Sequence, residues 1–137
     1  MSRIRHLSGR IWEKLLKDSG VDIFNGPQGR ILYVLWEHGD LTITEIGKLT
    51  SLAKTTLTSM LDRMEDAGLI KRAPDKVNRR QIFIKVTKKT MEYREKYDSL
   101  SDKMSDAYYR GFSEREIKDF EENLRKIITN LETEENN

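Results

Sequence analysis

The sequence contains no cysteine, which excludes disulfide bonds, thiolate metal ligands and any sensor that works by thiol oxidation. Its two histidines, His6 and His38, stand far apart, and no HExxH, GxSxG or GxxxxGK[ST] pattern occurs. Isolated histidines do not give the spacing of a metal site. We therefore expect a protein that is not an enzyme, with no catalytic residues, no metal and no cofactor.

Long hydrophobic runs are also missing. Hydrophobic residues make up 36% of the chain and charged residues 35%, and no segment approaches the ~20 apolar residues of a membrane span. The N-terminal segment has neither a continuous apolar run nor a small-residue cleavage site, which argues against a secretory signal. The expected location is the cytoplasm, without membrane contact.

The net charge of +2 is small, but the charges are unevenly distributed. Residues 28–90 hold 12 Lys/Arg against 7 Asp/Glu, a net +5, whereas residues 91–137 hold 8 against 13, a net −5. Residues 1–27 hold 5 against 3, a net +2. A basic middle segment is typical of a module that faces phosphates, while an acidic tail would be repelled by DNA and needs another role.

The N-terminal segment predicts an amphipathic helix from Arg3 to about Lys17. A loop is expected from Ser19 to Gly26. Pro27 then suits the first turn of a second helix, which runs to about His38 and is stopped by Gly39. The apolar positions of the first helix follow helical spacing at Ile4, Leu7, Ile11 and Leu15.

The middle segment predicts two helices followed by a pair of strands. Thr42 and Glu45 form a capping box, so a short helix should run from about Ile43 to Thr50. A second helix is expected from Lys54 to Ala67, with Gly68 as its left-handed cap. Its inward face comprises Leu57, Met60, Leu61 and Met64. Alternation predicts strands at Leu69–Arg72 and Gln81–Val86, joined by the turn DKVNRR.

The C-terminal segment is again helical beyond Thr87. Gly111 interrupts the pattern, and Ser113 with Glu116 forms a second capping box. The last helix carries a continuous apolar stripe, formed by Ile117, Phe120, Leu124, Ile127, Ile128 and Leu131. Because these terminal helices flank a small module with little core left to cover, we predict that they make a symmetric dimer.

A short helix, a turn, a second helix and a two-stranded hairpin, in that order, is the winged helix-turn-helix arrangement. We therefore predict a mainly α fold with a small β-hairpin wing. The second helix of this motif leaves hydroxyls and one lysine facing outward near its N-terminus, where anions are favoured. The outward residues are Lys54, Thr55, Thr58, Ser59 and Asp62.

The middle segment also resembles a known protein family. The runs EIGKLTSLAKTTLTSMLDRMEDAGLIKR and DKVNRRQIFIKVT resemble the core of the multiple antibiotic resistance regulator (MarR) family, closely over residues 28–90 and by layout outside them. The resemblance implies a recognition helix in the DNA major groove, a wing on the backbone or minor groove, and outer helices that dimerise. The predicted regions are residues 28–90 for DNA binding, and residues 1–27 and 91–137 for dimerisation.

The resemblance adds contacts to those taken from the residues themselves. Thr56 matches a family Ser/Thr that touches phosphate, and Arg63 matches a family arginine whose role is either a phosphate contact or an ion pair with a neighbouring acid. On the wing, Lys76 and Arg79 are the phosphate or minor-groove candidates, whereas Arg80 either does the same or pairs with Asp75. The predicted DNA-contacting residues are Ser51, Lys54, Thr55, Thr56, Thr58, Ser59, Arg63, Lys76, Asn78, Arg79 and Arg80.

Three positions depart from the family pattern. Val77 stands where many members carry an arginine at the wing tip, and Asn78 stands where an aspartate is frequent. Ala53 replaces a serine that often caps the recognition helix, so Ser51, water or DNA must supply the cap. Minor-groove insertion by an arginine would therefore fall to Arg79.

The predicted function is a sequence-specific regulator that binds a pseudo-palindromic operator as a homodimer, as a repressor relieved by a small aromatic or acidic effector. The alternative is a winged-helix protein-interaction module that does not bind DNA. The resemblance implies an effector pocket; its wall residues, which fit equally well as core, are Trp12, Tyr33, Trp36 and Tyr97. The predicted dimer contacts are Ile4, Leu7, Ile11, Ile117, Phe120, Leu124, Ile128 and Leu131.

Overall fold

The computed structural model describes residues 1–21 and 26–137. In chain order the elements are α1 (Ser2–Ser19), α2 (Gly26–His38), β1 (Leu41–Thr42), α3 (Ile43–Thr50), α4 (Lys54–Asp66), β2 (Ile70–Pro74), β3 (Ile82–Val86), α5 (Lys88–Tyr108) and α6 (Glu114–Glu135). They form two compact units, residues 1–101 and residues 102–137. The predicted class, mainly α with a small hairpin wing, is confirmed.

The two N-terminal helices lie where the sequence predicts them. α1 extends to Ser19, two residues beyond the predicted end, and stops at Gly20, whose φ of 77° is left-handed. α2 begins at Gly26 and ends at His38. The loop was predicted from Ser19 to Gly26, but these two end residues belong to α1 and α2, and residues 22–25 lie outside the described residues.

The helix-turn-helix is confirmed in both of its helices. Thr42 caps α3 by accepting a hydrogen bond from the Glu45 amide at 3.2 Å, and the Glu45 carboxylate accepts one from the Thr42 amide at 3.1 Å, which completes the predicted capping box. The Glu45 carboxylate also accepts from the Thr42 hydroxyl at 2.9 Å, and the bonds that it accepts from the amide and the hydroxyl of Thr42 lower the pKa of Glu45. α4 begins at Lys54 as predicted and ends at Asp66, with Ala67 as its C-cap.

The sheet has three antiparallel strands in the order β1-β3-β2, so β3 is central. In the wing, Ile70 is paired with Val86 and Arg72 with Ile84. β1 was not predicted, because its two residues are too short to show alternation; it pairs Leu41 with Ile84. β2 starts one residue later than predicted and continues to Pro74, and β3 starts at Ile82 rather than Gln81.

The core of residues 1–101 lies between the helices and the sheet. α4 contributes the four inward residues that the sequence predicts, all of them buried. Gly68 follows α4 with a φ of 76°, a conformation that favours glycine, and so turns the chain directly into β2. Other fully buried apolar core side chains are Leu16, Val21, Ile31, Leu32, Ile46, Leu69, Ile70 and Ile84. The recognition helix and the wing are therefore fixed to one core.

Residues 102–137 hold the end of α5 and all of α6. Ser113 and Glu116 form the second predicted capping box, with bonds of 3.1 and 3.0 Å. The Tyr109 ring makes edge contacts with Phe112 and Phe120, and its hydroxyl donates to the Glu121 carboxylate at 3.0 Å. These contacts join the turn to the first half of α6.

Candidate nucleic-acid interface

The outward face of α4 is polar and open to solvent. Thr58 is the exception among the predicted hydroxyls, because it is half-buried and its Oγ1 donates to the Lys54 carbonyl at 2.8 Å. In this arrangement Thr58 offers a ligand only lone pairs, and a phosphate oxygen has no proton to donate to them. The exposed members of this face are Lys54, Thr55, Thr56, Ser59, Asp62 and Arg63.

The N-terminus of α4 has no side-chain cap among the described residues, because its N-cap is Ala53. Ser51, one of the predicted capping candidates, instead closes α3: it adopts a φ of 59° and its amide donates to the Gly47 carbonyl at 2.8 Å. The first amide groups of α4 therefore remain available to an anion, beside the Lys54 ammonium.

Arg63 does not form the ion pair that was one of its two predicted roles. Its guanidinium donates to the Ser59 hydroxyl at 3.0 Å, and no ion pair to it occurs within residues 1–21 and 26–137. The nearby acids on α4, Asp62 and Glu65, form ion pairs with Arg72 instead. Arg63 therefore keeps an uncompensated charge on the outward face of α4.

Arg72 joins the wing to α4, a role that the sequence did not indicate. It lies on β2, and its guanidinium reaches across to α4, where it binds Asp62 and Glu65 at 2.8 Å each. Its amide also donates to Glu65 at 3.2 Å. The spacing of two acids one turn apart was a signal that could have identified an arginine partner, but nothing in the sequence said which arginine.

The wing tip is an ordered turn between β2 and β3. The Asp75 amide donates to the Gln81 carbonyl at 2.9 Å, and the Gln81 amide donates to the Asn78 carbonyl at 3.0 Å. The Asn78 side-chain oxygen accepts from the Arg80 amide at 3.2 Å, so this side chain supports the turn. The exposed residues of the tip are Lys76, Val77, Asn78, Arg79 and Arg80.

The predicted alternative for Arg80, an ion pair with Asp75, is not formed in the described hairpin. The Asp75 carboxylate accepts instead from the Val77 amide at 3.2 Å, and the Arg80 side chain is exposed. The hairpin is thus closed by backbone and short side-chain bonds, which leaves Arg80 as a free cation beside Lys76 and Arg79.

The four predicted effector-pocket residues are brought together in residues 1–101. The Tyr97 ring lies at the centre, with ring centroids 5.1 Å from Trp12, 5.5 Å from Trp36 and 6.0 Å from Tyr33. Burial raises the pKa of Tyr97 to about 12. Trp36 and Tyr97 are buried in the core, Trp12 packs against it, and Tyr33 is 39% exposed.

One polar atom in this cluster lacks a partner. The Trp36 Nε1 atom is buried and forms no hydrogen bond within the part of the chain that the structure describes. A buried donor without an acceptor is costly, so an acceptor that reached it would be favoured.

No group of three or more metal-binding side chains occurs among the described residues.

The predicted dimer residues are exposed or half-buried apolar side chains. On α1, Ile4, Leu7 and Ile11 are exposed, with Ile4 at 62%. On α6, Ile117 and Leu124 are half-buried. The exposed members of the α6 stripe are Phe120, Ile127, Ile128 and Leu131.

None of the described helices is both long enough and apolar enough to cross a membrane.

Comparisons with known proteins agree with this architecture. The MarR family model matches residues 24–82. The HTH-type transcriptional regulator MgrA of Staphylococcus aureus is 31% identical over 102 residues, covering 74% of this chain and 68% of MgrA. The HTH-type transcriptional repressor IacR of Pseudomonas putida is 26% identical over 121 residues, covering 88% of this chain and 71% of IacR.

A solved structure of reduced AbfR bound to DNA has a similar fold. Its TM-score is 0.69 at 28% identity, and the alignment covers 95% of this chain and 87% of AbfR. The family resemblance stated from the sequence is confirmed by both kinds of comparison. The chain belongs to the MarR family of winged-helix transcriptional regulators.

Proposed function

We propose that this protein binds double-stranded DNA sequence-specifically, with α4 in the major groove and the wing on the flank of the site. The observation that carries the proposal is the uncapped N-terminus of α4, which presents Lys54 and the hydroxyls of Thr55 and Thr56 on an exposed face. Short hydroxyls allow close approach to phosphates and base edges. The proposed DNA-binding region is residues 28–90.

The charges on the wing support the same function. Lys76, Arg79 and Arg80 are exposed and free of ion pairs within the described chain, so they are available to phosphates. The solved complex of reduced AbfR with DNA is a precedent for this function. Ser51, Ser59, Arg63 and Asn78 complete the proposed contact set, in which Asn78 acts mainly by shaping the turn.

The regulator acts as a homodimer in this proposal. The exposed apolar stripes of α1 and α6, within residues 1–27 and 91–137, would lose water on association. A two-fold axis would place the two recognition helices about 34 Å apart, which requires a pseudo-palindromic operator. The acidic charge of residues 91–137 fits a region held away from DNA.

Repression relieved by an effector is the remaining part of the proposal. IacR is a repressor, and the aromatic cluster around Tyr97 offers ring faces together with the unpartnered Trp36 Nε1 donor. A small aromatic carboxylic acid would match both features, since its ring stacks and its carboxylate accepts a hydrogen bond. The protein is proposed to act in the cytoplasm as a binding protein rather than an enzyme.

A salt titration tests DNA binding. The affinity of the full chain for a mixed-sequence duplex is measured by fluorescence anisotropy as salt is raised from about 50 to 200 mM, and a loss on the order of a thousandfold is expected. Lys54→Ala should weaken binding and reduce the salt slope by about 1. Lys126→Ala, which removes the same charge from the polar side of α6, is the control. Absence of binding at low salt would favour a protein-interaction module.

A further inference from the structure

The tip of the wing carries an apolar side chain among cations. Val77 is 94% exposed, and Lys76, Arg79 and Arg80 are all within three residues of it. The other exposed hydrophobic residues on α1 and α6 belong to continuous helical stripes, whereas Val77 stands alone in a basic turn. Single exposed apolar residues are common on protein surfaces, so the significance of Val77 depends on its position.

That position is fixed before any ligand binds. The Asp75 carboxylate accepts a hydrogen bond from the Val77 amide at 3.2 Å, and the Asn78 side chain accepts from the Arg80 amide at 3.2 Å. Two backbone bonds between Asp75, Asn78 and Gln81 close the base of the turn. The backbone at Val77 is therefore held at the tip and has little freedom left to lose on binding.

We infer that Val77 is a specificity-determining residue that rests on the minor-groove edge of base pairs flanking each half-site and selects A·T over G·C. The inference builds on the proposed DNA binding. In the minor groove, G·C differs from A·T by the guanine 2-amino donor. An isopropyl group lying over that donor would bury it without an acceptor, which disfavours G·C.

The neighbouring cations reinforce this preference. Narrow minor grooves of A·T-rich DNA have an enhanced negative potential that attracts Lys and Arg. Lys76 and Arg79 are exposed next to the tip and would bind phosphates along the groove while Val77 covers its floor. Charge would then supply affinity at the wing, and the apolar tip would supply discrimination.

The test uses a duplex in which only the flanking pair changes. Operators selected from a random pool should be enriched in A·T at the flank, and replacing that pair by G·C should weaken binding about fivefold per half-site. Inosine·cytosine keeps the major-groove pattern of G·C but lacks the 2-amino group. Binding to the inosine duplex should therefore recover to the A·T level.

Two variants link the effect to this side chain. Val77→Thr keeps the shape but adds a hydroxyl that accepts from the guanine amino group, so the A·T preference should fall below about twofold. Arg79→Ala should weaken binding to every flank equally. Because Val77 is almost fully exposed, circular dichroism of Val77→Thr should match that of the parent protein.

The two proposals fail in different ways. If the parent protein shows no salt-dependent DNA binding, both the proposed function and the role of Val77 are wrong. If the parent protein binds a selected operator core but binds A·T, G·C and inosine flanks equally, only the role of Val77 is overturned. That role is likewise overturned if Val77→Thr keeps the full A·T preference.

Discussion

Arg72 on β2 and Asp62 on α4 form an ion pair of 2.8 Å, and the same guanidinium binds Glu65, about one turn further along α4. One side chain, only 22% exposed, thus joins the recognition helix to the wing. The guanidinium also offsets one of the two negative charges of Asp62 and Glu65, beside the face that is proposed to meet phosphates. Arg72 therefore has two separable effects on binding, one through geometry and one through charge.

Replacing Arg72 should affect DNA binding more than stability. Arg72→Ala is expected to lower the free energy of unfolding by only about 1 kcal/mol, because both carboxylates are substantially exposed. DNA affinity should fall at least tenfold, since the wing loses its tie to α4 and Asp62 and Glu65 then repel the backbone. Chemical denaturation and anisotropy measure the two effects.

A charge-repaired protein separates the two causes. In the triple variant Arg72→Ala, Asp62→Asn, Glu65→Gln, the carboxylates are gone but the tie is still broken. If Arg72 positions the wing, the triple variant stays weak; recovery of parental affinity would show that charge alone matters. Equal losses of stability and affinity in the single variant would reduce Arg72 to a structural role.

Arg79→Ala should weaken binding to all sequences alike and reduce the salt slope by about 1. The reason is that the exposed Arg79 guanidinium is proposed to contact phosphate or minor groove, which carries little information about bases. Anisotropy at several salt concentrations, on operator and mixed duplexes, measures the change. Lys126→Ala on α6 is the matched control, and an unchanged affinity of Arg79→Ala would remove Arg79 from the interface.

Thr55→Ala should change sequence preference more than bulk affinity. Thr55 is exposed in the first turn of α4, the part of the helix that is proposed to meet base edges. Selection from a random duplex pool should show relaxed preference at one position per half-site. Thr129→Ala, an exposed threonine on α6, serves as the control. A selection profile identical to that of the parent would argue against base readout by Thr55.

Most of the fold was predictable, because it depends on local signals. The capping residues Thr42 and Ser113 set the starts of α3 and α6, and Gly68 sets the turn from α4 to β2. β1 was not predicted, because a two-residue strand is defined only by its pairing with β3, and that pairing forms in the tertiary structure. The helix ends differed from prediction by one or two residues, where such signals are weakest.

The candidate site was predictable in composition but not in pairing. The sequence indicated that Arg63 and Arg80 had two possible roles each, and only coordinates could show that Arg72 occupies the acids near Arg63 and that Asp75 binds the Val77 amide instead of Arg80. Arg72 reaches Asp62 and Glu65 only because β2 lies beside α4 in the folded protein. Periodicity alone carries no such information.

The apolar stripe of α6 predicts a dimer that a single charge can break. Leu124→Asp should give a monomer or an unfolded chain, since Leu124 is half-buried. Ile128→Asp is the sharper variant, because Ile128 is 52% exposed and its replacement should spare the fold. Light scattering measures the mass, and circular dichroism checks the helix content.

The same charge placed off the stripe provides the comparison. Thr129 lies next to Ile128 but on the polar side of α6, so Thr129→Asp should remain dimeric. Operator binding should weaken in Ile128→Asp and persist in Thr129→Asp, because a monomer contacts only one half-site. A folded dimer in both Leu124→Asp and Ile128→Asp would refute dimerisation through this stripe.

The aromatic cluster gives a prediction at high pH that needs no ligand. The pKa of Tyr97 is raised from 10.0 to about 12 by burial against Trp12 and Trp36, so the folded protein favours the neutral phenol. In the unfolded chain the phenol ionises near its ordinary value. The resulting stabilisation is complete below pH 10 and is lost as pH rises from 10 through about 12.

Tyr97→Phe should remove this loss. Over the interval from pH 10 to about 12, the parent protein should lose about 2 kcal/mol more unfolding free energy than Tyr97→Phe. All other residues are the same in the two proteins, so the difference isolates the Tyr97 hydroxyl. Urea denaturation at each pH, followed by tryptophan fluorescence, suits the measurement because both tryptophans of the chain contact Tyr97. Parallel curves for the parent and Tyr97→Phe would mean that Tyr97 titrates as an exposed phenol and that the cluster is open to water.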